Sequence, residues 1–159
     1  MIPAHDVFAE TNPAFCGAVL AQFCSAYQAT PLGLAPTAAL VYLVVPLAIS
    51  EDLAPTFDGC NRETGFTLWM SRNPKISVDL AKKVNATLEI TTAALRFGCI
   101  AGIFKLTLEG GVESAKKALP AAVTNGVAGA ALKRARLMGI WMAGMGSPRA
   151  VIEALGVSV

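Results

Sequence analysis

SVDLAKKVNATLEITTAALRFGCIAGIFKLTLEGGVESA, residues 77–115, is the stretch whose reading decides the fold. Ser77 starts a helix, and Asp79 gives it an acidic first turn. Val84, Leu88 and Thr91/Thr92 continue an apolar stripe at helical spacing, which Ala94, Leu95 and Phe97 close. Lys82, Lys83 and Glu89 fall on the water side. After Gly98 the period changes. Ile103, Phe104, Leu106 and Leu108, with Lys105, Thr107 and Glu109 between them, alternate as a half-buried strand does. Gly110-Gly111 is a two-residue type I′ hairpin signal, and residues 112–115 return as the partner strand.

Upstream, residues 62–71 read as a short helix with Phe66, Trp69 and Met70 apolar, broken by Asn73-Pro74. Short helix, turn, longer helix and hairpin are the layout of a winged helix-turn-helix. The fold expected is therefore mainly α: one compact helical domain over residues 1–159 with one β-hairpin and a winged-helix-like middle. An arm covers 1–12, the helical and winged-helix-like part covers 13–126, and C-terminal helices cover 127–159. A winged helix can read DNA through its second helix, and it also serves as a protein-docking module. The long helix lacks the Arg/Asn/Gln-rich face that base readout needs. Lys82, Lys83 and Arg96 are its candidates for phosphate contact. Protein docking is favoured, with a DNA-binding winged helix as the alternative.

Asn12-Pro13 signals another helix start, Asn at the cap and Pro where its missing N–H costs nothing. Phe15, Val19, Phe23 and Tyr27 then recur every four residues. The segment 34–50, LAPTAALVYLVVPLAIS, reads as a helix buried on most sides and kinked or ended near Pro46. Its apolar run from Leu34 to Ile49 is 16 residues, short of the roughly 20 that span a bilayer. It has no flanking Lys/Arg cluster, so a core helix is favoured over a membrane helix. Residues 116–126 read as a linker. A helix from Val127 carries Trp141, breaks at Gly146-Ser147-Pro148 and restarts at Pro148. Trp141, Pro148, Leu155 and Trp69 are the candidate partner contacts, and core packing is the equal alternative for the first three.

Hydrophobic residues make up 54% and charged residues 15%, against about 45–50% and 25% in ordinary soluble domains. A large partner surface or a membrane accounts for such an excess. The net charge of +2 hides an asymmetry. Residues 1–64 hold one basic residue, Arg62, against six acidic ones, and residues 65–159 hold twelve against five. The basic residues are scattered, as on a solvated face.

Little in the chain can do chemistry. His5 is the single histidine, so neither a catalytic triad nor a histidine-rich zinc site is available. Neither GxxxxGK[ST] nor GxGxxG occurs. Glu51-Asp52 lacks an apolar setting to raise a pKa. Cys16, Cys24 and Cys99 sit among apolar neighbours and read as buried, reduced core residues, which suits a cytoplasmic protein. The N-terminus lacks the basic start of a signal peptide. The expectation is a non-enzyme with no cofactor and no metal.

The chain resembles the middle component of three-component ABC systems, a bacterial family that includes the small subunit of Lamassu-type anti-phage defence systems. Four pieces in order carry the resemblance. They are Asn12-Pro13-Ala14-Phe15; the segment 40–50, LVYLVVPLAIS; Ala94-Leu95-Arg96-Phe97-Gly98 with Gly102 and a strand after it; and Gly139-Ile140-Trp141-Met142-Ala143 with Gly146-Ser147-Pro148 and Leu155-Gly156-Val157. The last is the most specific. The resemblance implies a non-catalytic adaptor between an SMC-like ATPase (the structural-maintenance-of-chromosomes or double-strand-break-repair type) and an effector subunit, often a nuclease. DNA then enters through the complex or by direct contact. This copy departs from the family in its alanine content and in the unplaced segment 110–126.

Overall fold

Asn12 and Pro13 open the central helix, α1 (Pro13–Gln28). The Asn12 Oδ1 accepts from the Ala14 and Phe15 amides at 2.9 and 3.4 Å. In the computed structural model, which describes residues 12–31, 33–115 and 127–156, α1 is followed by α2 (Ala38–Ala48), α3 (Phe66–Arg72) and α4 (Leu80–Ile100). The hairpin β1 (Phe104–Leu106) and β2 (Val112–Ser114) comes next, then α5 (Val127–Ala143) and α6 (Pro148–Ala154). Except for Asn12, the arm lies outside the described residues, as does the expected linker.

α1 packs against α5, α4, α2 and β2. Its buried residues, among them Cys16, Val19, Leu20, Phe23 and Cys24, therefore point to several sides rather than one. α2 is as enclosed, from Leu40 to Ala48. A charge in either helix would lose its hydration without a partner, at a cost of several kcal/mol. That explains why the buried positions of both helices hold none. Pro46 lies inside α2 and gives no N–H to the Tyr42 carbonyl one turn back, two residues before the helix stops at Ala48. The C-terminal helices share this core through Leu132, Ala135, Met138, Trp141, Met142, Val151 and Leu155, so the described residues form one domain.

The long helix differs at both ends from its sequence reading. Asn73-Pro74 leads into a 3₁₀ turn, Pro74–Ile76, and Asp79 adopts a left-handed φ of 59°. The helix thus begins at Leu80, with Asp79 as a cap whose side chain makes no capping bond. It runs on past Phe97 to Ile100. Its buried line is Leu80, Thr91, Ala94 and Gly98. Leu88 lies off that line and is exposed.

The hairpin is shorter than the alternation suggests. Phe104 is buried, but Leu106 and Leu108 project into solvent. The strands pair antiparallel, with Phe104 opposite Ser114 and Leu106 opposite Val112. The turn is not a two-residue type I′ turn. Thr107 N donates to Gly111 O at 2.9 Å, and Gly111 N donates back to the Thr107 hydroxyl at 2.8 Å. A third segment explains this geometry. Ala38 N donates to Gly110 O and Val112 N to Pro36 O, which bridges Thr37 to Gly111 and holds the turn against the start of α2. Phe104 in turn packs on α4 at Gly98, where its ring occupies the place of a Cβ.

Candidate functional site

The most specific sequence motif of the chain forms the corner between α5 and α6. Gly139 brings α5 against α1: a Cβ there would stand 2.5 Å from Phe23 O and 2.9 Å from the Ala26 Cβ. Two residues on, Trp141 points to another side of α5. It stacks on Phe57 with ring centroids 6.0 Å apart and lies 5.6 Å from Trp69. Its indole N–H donates to Asn61 O at 3.0 Å. Gly146 turns the chain with a φ of 88°. Ser147 then caps α6 by accepting from the Ala150 amide at 3.2 Å, and Pro148 takes the first helical position.

The four partner candidates separate in space. Trp69, Trp141 and Leu155 are buried in the chain's own core. Trp69 also satisfies its indole N–H internally, on the Thr56 hydroxyl at 3.1 Å. These aromatic rings, with Phe57 and Phe66, clamp the segment between α2 and α4 onto α5. Only Pro148 reaches the surface in part.

Pro148 lines a cavity of about 550 Å³ walled by the end of α1, the residues before α2, the hairpin turn and the α5–α6 corner. A second cavity of about 620 Å³ lies along the end of α1 and the outer side of α5. Thr30 and Ala143 line both, so the two are halves of one groove. Arg62 and Arg136 line one half, and Glu109 and Glu113 the other. Neither pair falls within any motif of the sequence. One signal pointed to the first: Arg62 is the only basic residue among the first 64.

The phosphate candidates do not form a cluster. Lys82 and Arg96 lie exposed on one side of α4, about 21 Å apart along the axis, with Glu89 on the same face between them. Lys83 is turned inward, 3.8 Å from Asp52 Oδ2 and 3.3 Å from the Ser50 hydroxyl. Arg134, which no motif marked, does structural service. Its Nε donates to Ala48 O at 2.7 Å, satisfying the end of α2. Burial lowers its pKa, and the charges of Asp58 and Glu51 oppose that shift. Among the cysteines, Cys16 and Cys24 are buried, and burial pushes the Cys24 thiol up to about 12. Cys99 is exposed, contrary to its reading as a core residue, because α4 extends past Phe97 and carries it to the open side.

Fold and surface define the class: a small, mainly helical domain closed by a hairpin, with both tryptophans turned inward and a charged-ended groove outside. The chain belongs to the family of middle components. Residues 5–159 match the family described as MC3, ABC-three component (ABC-3C) system Middle Component 3. Membership implies partner subunits. No curated protein and no solved structure matches the chain. Among the described residues, no helix is long and apolar enough to cross a membrane.

Proposed function

We propose that this chain is the non-catalytic adaptor of a cytoplasmic bacterial anti-phage complex of the Lamassu type, joining an SMC-like ATPase to an effector, a nuclease. The observation that carries the reading is the family match over residues 5–159. The element order is in keeping with a winged-helix-like module, but on other helices than the sequence suggested: α1, the bridge at Thr37, α2, α4 and the hairpin follow in that order, and the short helix α3 lies in the segment inserted between α2 and α4. Used for docking, such a module needs no chemistry of its own. The test is co-expression of the tagged chain with the ATPase and the effector encoded beside it. Recovery of both on the tag supports the adaptor role, and recovery of neither removes it.

Direct DNA binding is the second reading, and Lys82 and Arg96 on one face of α4 are what favour it. Glu89 between them and the withdrawal of Lys83 toward Asp52 weigh toward docking. A salt-sensitive affinity of the isolated chain for duplex DNA, lost on Lys82→Ala/Arg96→Ala, would establish the DNA reading instead.

A further inference from the structure

We infer that the groove along α1, α5 and the hairpin turn receives an extended peptide segment of a partner subunit, acidic at one end and basic at the other. The inference rests on the middle-component reading, since it assigns the face by which a middle component takes hold of a partner.

The groove has two poles of opposite charge. Arg62 and Arg136 line one half, and among the described residues no acidic one lines it with them. Glu109 and Glu113 line the other, and among the described residues no basic one lines that half. Among the described residues these four side chains make no ion pair. Even Glu113, which sits opposite Lys105 across the hairpin, is left without one. Unpaired charges of one sign along a concave wall raise the local concentration of the opposite charge. Two such ends of opposite sign also fix the direction in which a chain can lie.

Between the poles the lining is small and apolar or weakly polar: Thr30, Ala143 and Gly146, with Tyr27, Leu34 and Pro148 on the acidic side. The short side chains of Thr30 and Ala143, which line both halves, leave room for an extended backbone to pass between the poles. The floor is rigid. It is built from the ends of α1 and α5, held in close contact at Gly139, and from a corner fixed by the Ser147 cap. The groove thus costs little reorganisation on binding.

Two synthetic peptides serve as probes. One has two aspartates and two lysines at opposite ends of about five small or apolar residues, roughly 16 Å of extended chain. The other has aspartates at both ends. At low salt the wild-type chain is expected to bind the mixed peptide at least about tenfold more tightly than the all-acidic one. Glu109→Lys/Glu113→Lys should reverse that preference, a gain that an unfolded variant cannot produce. Equal binding of both peptides by the wild type, or no reversal in the variant, overturns the inference. In the co-expressed complex, Arg62→Glu/Arg136→Glu should lose one of the two partner subunits. Retention of both by that variant overturns the groove as the docking face and leaves the adaptor role standing. A wild-type chain that retains neither overturns the adaptor role, and the peptide preference then decides the groove alone.

Discussion

Gly139 of α5 lies against the backbone of Phe23 in α1, so close that a methyl group at 139 would stand 2.5 Å from the Phe23 carbonyl oxygen. Real Cβ atoms do not approach so near, and a backbone carbonyl inside a helix cannot swing aside. Gly139→Ala gains about 1 kcal/mol of helix propensity. It also forces the two helices apart, at a cost of about 1–3 kcal/mol, which leaves a net loss of up to about 2 kcal/mol. The variant is expected to be less stable than wild type in urea unfolding. A more stable variant would show that the helices are not in this contact.

Trp141 contributes both its ring and its N–H. Trp141→Phe keeps a ring against Phe57 but leaves the Asn61 carbonyl without its donor, for a loss of about 1–2 kcal/mol. Trp141→Ala also opens a cavity in the aromatic cluster, and about 3–5 kcal/mol is expected. A Trp141→Phe variant as stable as wild type would contradict the role given to the N–H, and equal losses in the two variants would contradict the role given to the ring. The same pair separates core packing from partner contact: a variant that folds normally yet releases a partner would place Trp141 at the interface.

Arg134 ties α5 to the last turn of α2 through the Ala48 carbonyl. Arg134→Ala is expected to cost about 2 kcal/mol, the range for a bond from a charged donor. It should also raise hydrogen exchange over the end of α2 before the rest of the core. Unchanged exchange there would contradict the capping role.

The cysteines differ in reach and in titration. Cys99 should react with a thiol reagent in the native state, whereas Cys16 and Cys24 should react only on unfolding. The Cys24 thiol ionises near 9.0 once unfolded and near about 12 when folded. Its stabilising share is therefore whole below pH 9.0 and is lost as pH rises toward about 12. In urea unfolding between those limits, Cys24→Ala should flatten the fall of stability with pH by one proton, about 1.4 kcal/mol per pH unit. An unchanged slope would mean that Cys24 is not buried as described.

Local signals in the sequence were read well where the chemistry is local. Asn12-Pro13 and Ser147-Pro148 start helices because a side-chain oxygen reaches amides two or three residues on, and that reach depends on nothing distant. The hairpin was read less well. The alternation from Ile103 to Glu109 fits a longer strand, but the Gly110–Gly111 turn is shaped by Pro36 and Ala38, far away in the chain. The start of α4 was misplaced for a related reason, since a left-handed Asp79 leaves no mark in hydrophobic spacing. The groove was hidden altogether. Its charged ends come from three separate parts of the chain, the segment before α3, the hairpin and α5, and only the isolation of Arg62 in an acidic half hinted at it.

Omission tests the central claim most directly. The ATPase and the effector are expressed together, with and without this chain, and their masses in solution are measured by light scattering after gel filtration. The adaptor account predicts one assembly of all three when the chain is present, and separate ATPase and effector when it is left out. An ATPase–effector assembly that forms equally well without the chain would contradict it.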